Sequence, residues 1–392
     1  MTTTLKKGSY NEENFSSCSE SMKQLEQYLD TVFKTTRLIL STLSAKPIHI
    51  KNIRDTFEEP GINESEHSFL KLLDIITNGS VTIVNETGTV VRYTPGILLG
   101  GTLQHDCGIG RAIGYYLEAL LCLAPFCKKP LHITLKGVTN DSIDPSVDSI
   151  MHSSIPVLKR FILNDENLEI KIISRGLPPE GGGEVLFRCP VVNTIRPIKG
   201  LDPGKIKRIR GYAYSVRVSP AMSRRMVDAS KGLLLKFLPD VYIYSDHYKG
   251  KHSGKSPGFG LTLIAESTTG VFYAAEAISK PSGSGDDFIV PEDVAKQACY
   301  NLFEEINRGG FVDSNNQSLV CLLMALGPAD VSKVKTGPLS LYTIQFLRHI
   351  EDFLQLRMKL ETVKDEKLQL GTHKVIVTCL GIGFSNLSRN VS

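Results

Sequence analysis

Arg348 and His349 stand side by side late in the chain. A guanidinium can steady a phosphorane, and an imidazole can give or take a proton. The pair therefore has the parts for metal-free RNA cleavage. An ordinary boundary histidine on a helix is the competing reading. Ser253-Gly254-Lys255-Ser256 has the look of the end of a phosphate-binding loop, but Lys249 stands where the upstream glycine belongs. It reads better as a basic loop. Lys249, Lys251 and Lys255 can hold phosphates there, with Tyr244, Tyr248 and Phe259 nearby to stack bases. Aromatic core beside solvated lysines is the alternative. Lys205, Lys207, Arg208 and Arg210 form a denser phosphate candidate, four charges within six residues.

These groups share one region. Between residues 201 and 260 there are twelve Lys or Arg and four Asp, a surplus of +8. The whole chain carries only +4, so the remainder is about −4. Such asymmetry points to a polyanionic partner, with a merely solvated basic face as the rival. Metal chemistry is not expected. The nine histidines show no paired spacing, and the eight cysteines form no C-x-x-C pair. Reduced, mostly buried thiols fit a cytosolic or nuclear protein. No apolar run approaches the roughly 18 residues that span a bilayer, and residues 1–14 lack a signal-peptide core. No cofactor is expected.

The elements that must position these residues alternate between helix and strand. Apolar spacing predicts a helix over 19–34, with Ser21 and Gln24 as a capping box, and another over 37–43. Strand 47–53, helix 67–78 and strands 81–85 and 90–93 follow. Helix 110–124, strand 131–137, helix 145–161 and strands 168–173 and 184–189 then repeat the pattern. From residue 201 the texture changes. Strand 211–219, helix 221–237, strand 241–246 and strands 261–267 and 271–277 read as an inserted α/β domain over 201–289. Residues 281–287 read as a flexible Gly/Ser segment. Pro291, Glu292 and Asp293 open a return helix that Gly309 closes. Helices 313–326 and 341–356 and a last strand 374–380 complete the chain.

One stretch ties this organisation to a known family. Arg175-Gly-Leu-Pro-Pro-Glu-Gly-Gly-Gly-Glu-Val185 joins two predicted strands. On composition it is a long hairpin loop. It also resembles the Arg-Gly-x-x-Pro-x-Gly-Gly-Gly-x-Val signature of the RNA 3′-terminal phosphate cyclase superfamily. Further segments are similar to its eukaryotic cyclase-like branch: Arg37-Leu-Ile-Leu-Ser-Thr-Leu-Ser44, Gly137-Val-Thr-Asn-Asp141, Tyr214-Ser-Val-Arg-Val-Ser-Pro220, Ser253-Gly-Lys-Ser-Pro-Gly-Phe-Gly260, Asp330-Val-Ser-Lys333 and Gly381-Ile-Gly-Phe-Ser-Asn386. The resemblance implies an α/β fold with a large domain of three repeated α/β units, over 37–200 and 290–392, and a smaller α/β domain inserted at 201–289. Residues 1–36 form an N-terminal extension in which the helix over 19–34 is an atypical insertion.

True cyclases transfer AMP to a histidine and then to an RNA 3′-phosphate, and the resemblance locates that machinery. Their Gly-Pro-x-x-x-His-Thr run corresponds to Gly337-Pro-Leu-Ser-Leu-Tyr-Thr343, so Tyr342 stands for the nucleophile. A phenol with pKa near 10 is mostly protonated at neutral pH and needs an activating base. Their Asp-Gln pair corresponds to Asn316-Gln317, and their N-terminal Gly-Glu-Gly-Gly-Gly-Gln loop has no counterpart between residues 10 and 37. The expected protein is a non-catalytic ribosome-assembly factor of the small-subunit processome, acting in the nucleolus on early cleavages toward 18S rRNA. The resemblance implies a ribosome-assembly GTPase and a pre-rRNA or snoRNA-containing particle as partners, and no membrane. A rival from the same branch is an endonuclease built on Arg348 and His349; of the Arg-Asp-x-Lys pattern tied to that role, only Arg348 persists. Arg175 is expected to keep loop geometry, with an anion-binding role as the further candidate.

Overall fold

A computed structural model of the chain describes residues 35–163, 166–281, 289–363 and 373–386. The helix expected over 19–34, its capping box, the missing glycine loop and the Gly/Ser segment lie outside the described residues, apart from the segment's first residue.

The chain builds one strand–helix–strand–helix–strand–strand pattern repeatedly. The first copy comprises α1 (35–44), β1 (Ile48–Ile50), α2 (Glu64–Ile76), the short β2 (Thr77–Asn78), β3 (Val81–Val84) and β4 (Val91–Thr94). Its antiparallel sheet has the order β1-β4-β3. Asn63 caps α2 in a capping box with Glu66, which starts the helix earlier than apolar spacing suggests. A short β5 (Ile97–Leu98) pairs with β2.

The second copy is complete. β6 (Gly101–Asp106), α3 (Ile113–Leu123) and β7 (Leu131–Gly137) form a parallel βαβ unit. A helical segment follows: α4 (Val147–Ser149), a π-helical stretch (Ile150–Ser154) and α5 (Ile155–Lys159). β8 (Glu169–Ser174) and β9 (Gly183–Cys189) close a sheet ordered β6-β7-β9-β8. The last copy repeats that topology with β10 (Lys199–Gly200) at its edge. The chain then leaves the sheet for more than a hundred residues and returns later with five further elements of the same unit.

The excursion is the inserted domain. β11 (Ile206–Val216) and β12 (Val241–Tyr248) are parallel and joined by α6 (Ala221–Leu234). β13 (Gly258–Ser267) and β14 (Phe272–Ile278) are antiparallel, giving the order β12-β11-β13-β14. α7 (Pro291–Arg308) follows with Pro291 in its first turn and Gly309 past its end. Then α8 (Gln317–Leu326), β15 (Val331–Thr336), α9 (Leu341–Leu354), β16 (Lys359–Val363) and β17 (Lys374–Leu380) complete the sheet β10-β15-β17-β16.

Two cores result. One runs through all three repeats, with Leu72, Leu117, Ile133, Phe187, Leu322 and Ile350 among its fully buried members. The other lies between the inserted sheet and α6 and α7, around Ile209, Ala213, Met226, Leu263 and Cys299. The expected boundary at residue 289 falls immediately before α7, whose apolar face (Val294, Ala298, Leu302) belongs to this second core. A small third cluster of Leu177, Tyr214 and Val216 sits where the signature loop meets the insert. No helix among the described residues is long and apolar enough to cross a membrane.

Candidate functional site

The signature loop is a joint between the two cores. Arg175 lies at the end of β8 and is only 2% exposed. Its guanidinium donates to both carboxylate oxygens of Asp148, at 2.5 and 2.8 Å, and to Asn140 Oδ1 at 2.8 Å. Its other side covers the rings of Tyr214 and Tyr248, 4.0 and 5.1 Å from their centroids. Burial alone would raise the Asp148 carboxyl, but the Arg175 charge and hydrogen bonds, with that of Asn140, hold it below the usual carboxylate value. Arg175 therefore faces a protein carboxylate, away from solvent phosphate. Its main chain continues the joint: Arg175 N–H donates to His252 O at 3.1 Å.

Ser253-Gly-Lys-Ser256 is the other half of that joint. In a phosphate-binding loop its amides would point at an anion. Here Gly254 N–H donates to Arg175 O at 2.6 Å, Lys255 N–H to Gly181 O at 2.9 Å, and Ser256 Oγ accepts from Glu180 N–H. Glycine is required for this approach: a Cβ on Gly254 would lie 2.2 Å from Gly181 O, and one on Gly176 would lie 2.2 Å from Gly183 N. The Lys249, Lys251 and Lys255 side chains are exposed around it. Lys255 borders a hollow of about 440 Å³ together with Lys136, Asp106, Glu180 and Glu184.

A cleft of about 560 Å³ lies between the second repeat, the last repeat and the insert. Tyr342, in the first turn of α9, lines it. Ser340 caps that helix, accepting from Thr343 N–H. Gln317 braces the same loop from below: its Oε1 accepts from Ser340 N–H and Thr343 Oγ1–H, and its Nε2 donates to Pro338 O. Asn316 is buried and donates to Ser153 Oγ and Asp313 Oδ1. Gln317 is thus a structural support for Tyr342's loop, and Asn316 ties the start of α8 to the second repeat through Ser153.

The cleft walls are acidic. Glu118, Asp141, Asp144 and Glu276 line it; among the described residues Arg308 is the one Lys or Arg there, and it pairs with Glu304. Burial, then repulsion from Asp144, pushes the Glu118 carboxyl up to about 8. Burial likewise lifts Glu276 to about 7 and Asp141 to about 6, the latter also opposed by Asp144. Asp144 pairs with Arg111, whose Nε lies 2.8 Å away. Sequence reasoning missed these carboxylates. The available signal was solitude: Glu118 is the single charge in Ile-Gly-Tyr-Tyr-Leu-Glu-Ala-Leu-Leu-Cys-Leu, and Glu276 the single charge in Phe-Tyr-Ala-Ala-Glu-Ala-Ile. Among the described residues no group of His, Cys, Asp and Glu could hold a metal ion.

The nuclease candidates point different ways. Arg348 is exposed and donates to Gln345 Oε1. His349 is 1% exposed and faces α1. Arg37 Nε can only donate, so His349 Nε2, 3.2 Å away, accepts; Nδ1 then carries the proton toward Thr36 Oγ1 at 2.9 Å. Burial and the Arg37 charge push this imidazole down to about 4. His349 is thus buried against α1 while Arg348 faces solvent, an arrangement that matches the competing reading of a boundary histidine on a helix.

The basic cluster lies on β11 rather than in a loop. Lys207 and Arg208 share Glu266, at 2.7 and 2.5 Å, and Arg210 pairs with Asp240 at 2.8 Å. Lys205 precedes the strand and is exposed.

Comparison with known proteins places this architecture. The sequence profile described as RNA 3′-terminal phosphate cyclase matches residues 31–360. The RNA 3′-terminal phosphate cyclase-like proteins of Mus musculus and Homo sapiens are each 56% identical over 364 residues, covering 93% of this chain and 97% of theirs. The rRNA processing protein rcl1 of Schizosaccharomyces pombe is 39% identical over 375 residues, covering 95% and 99%. The chain belongs to the RNA 3′-terminal phosphate cyclase family, in its eukaryotic cyclase-like branch.

Proposed function

We propose that this protein acts in ribosomal RNA processing as a non-catalytic assembly factor without RNA 3′-phosphate cyclase activity. The observation that carries the second half is the cleft. Tyr342, which by resemblance stands for the nucleophile, lines the same cleft as Glu118, Asp141, Asp144 and Glu276. At neutral pH a triphosphate or an RNA 3′-phosphate entering there would meet a largely ionised Asp141 and a partly ionised Glu276, which oppose a polyanion. The fission-yeast relative is named an rRNA processing protein, which supports the first half. The finer reading is work in the small-subunit processome of the nucleolus, on cleavages toward 18S rRNA. In it the large domain (37–200 and 290–392) and the insert from 201 together form a rigid scaffold for pre-rRNA, or a snoRNA-containing particle, and a ribosome-assembly GTPase. The endonuclease alternative gains no support from the opposed orientations of Arg348 and His349.

Two experiments test this. Pure protein is incubated with 3′-phosphorylated RNA and labelled ATP. No covalent adenylate is expected on the wild type or on Tyr342→His; label on the wild type overturns the non-cyclase assignment. In cells, depletion is expected to accumulate uncleaved precursor to 18S rRNA, and normal processing after depletion overturns the assembly role.

A further inference from the structure

An aromatic column crosses the insert. Tyr212 on β11 and Tyr244 on β12 are register partners, and their rings stack at 5.3 Å and 15°. On the inner side the His152 ring of the second repeat stacks on Tyr212 at 4.2 Å and 9°. On the outer side Tyr242 meets Tyr244 edge-on at 4.7 Å. The column ends in solvent, with Tyr242 53% and Tyr244 44% exposed. β12 is the edge strand of its sheet, and α6 and α7 cover the opposite face through Ile209, Ala213 and Ile243. Alternation along the strands therefore puts Tyr242, Tyr244, Arg208 and Arg210 on one face, which the second repeat covers at Tyr212 and leaves accessible at Tyr242 and Tyr244. Arg210 is the register partner of Tyr242. Arg210 is held by the exposed carboxylate of Asp240, which costs little to exchange for phosphate, while Arg208 shares the largely buried Glu266 with Lys207. Lys205, Lys207, Arg208 and Arg210 set four positive charges at this strand end against Glu266, Asp240 and Asp246, the last on the same face two residues beyond Tyr244.

We propose that this face binds single-stranded RNA, with bases stacked on Tyr242 and Tyr244 and the backbone phosphates held by Arg208 and Arg210. The proposal rests on the RNA-processing role above and names the surface that would serve it. Exposed rings accept any unpaired base, whereas a duplex keeps its bases stacked inside. The charge surplus favours a polyanion over an apolar protein segment.

The test uses the full chain with a fluorescein-labelled short oligouridylate and, separately, an RNA duplex of equal length. Anisotropy gives affinity over a salt series. The chain has no tryptophan, so quenching of tyrosine emission reports stacking directly. The double variant Tyr242→Ala/Tyr244→Ala is expected to bind the single strand about tenfold more weakly or worse. The double Phe variant should match the wild type, and duplex affinity should not change. Arg210→Ala should flatten the logarithmic salt slope by about one. Wild-type affinity in the double Ala variant, equal loss on duplex, no wild-type binding at all, or loss of a protein contact with RNA binding intact would each overturn the proposal. Depletion in cells separates the two readings. If processing fails on depletion but the Ala variant binds RNA normally, only this inference falls; if processing survives depletion, the assembly role falls whatever the binding data show.

Discussion

Replacing Arg175 by methionine separates a structural joint from an anion site. The substitution keeps much of the side chain's volume and removes its charge. Asp148, with its side chain 3% exposed, then retains one hydrogen bond, from Asn140 Nδ2 at 3.0 Å. Removing one partner of a buried pair costs about 3–5 kcal/mol. Protonation of Asp148 sets a ceiling: raising a carboxyl from about 4 to neutrality costs about 4 kcal/mol. Lost contacts with Tyr214 and Tyr248 add about 1 kcal/mol. The expected loss at pH 7 is therefore about 3–5 kcal/mol, measured by urea denaturation with circular dichroism. Its pH dependence follows from the same groups. In the wild type the depressed Asp148 carboxyl contributes stability that is present above the ordinary aspartate value and lost as pH falls through the depressed one. In the variant the unpaired carboxyl is raised instead, so its deficit should shrink between pH 7 and pH 5. Asp148→Asn in the Arg175→Met background should recover part of the loss, a coupling above about 1 kcal/mol. An unchanged midpoint, or a deficit equal at both pH values, refutes the joint. Weakened RNA binding with unchanged stability would instead make Arg175 an anion site.

Three further outcomes follow from the geometry. Glu118→Gln should gain about 2 kcal/mol on the wild type between pH 6 and pH 9, since the native carboxyl, raised to about 8, gives up over that range a proton the unfolded chain has already lost; thermal melts at pH 6 and 9 should show a flatter dependence in the variant. His349→Ala should lose about 1–3 kcal/mol through its cavity and broken hydrogen bonds, while Arg348→Ala stays within about 0.5 kcal/mol; equal effects in denaturant would contradict their opposite placement. Gly254→Ala forces a Cβ onto Gly181 O, and should cost about 1–3 kcal/mol with faster amide exchange at Gly254 and Lys255; unaltered exchange would show that the joint yields freely.

Much of this architecture can be read from pattern alone, and the gaps have causes. Leu131–Gly137 alternates buried and accessible residues and reads plainly as a strand. Its counterpart Val331–Thr336 is obscured because two of its outward positions are lysines, so the apolar signal falls to a few residues. β10 has two residues and no periodicity to detect. The basic run 205–210 conceals the start of β11 because its charges occupy both faces of the strand end, and their partners Glu266 and Asp240 are distant in sequence. Candidate sites were harder. Composition identifies Arg175, Lys255 and His349 as chemically able, but not the buried partners that engage Arg175 and His349 or the backbone contacts around Lys255. Replacement of the nucleophile by Tyr342 was visible as a single letter; the acidic walls around it depend on three segments that converge only in the fold.

The joint between the signature loop and residues 253–256 is made largely by main-chain atoms. Glu180 enters it through its main-chain N–H, whereas any carbon added at the glycines 176 and 254 meets backbone at 2.2 Å. A chain that retains this hinge-pin must retain those letters, whether or not its cleft still performs chemistry. A motif search that finds them therefore reports ancestry and construction. Evidence of activity has to be read in the neighbouring cleft, which a phenol lines together with carboxylates.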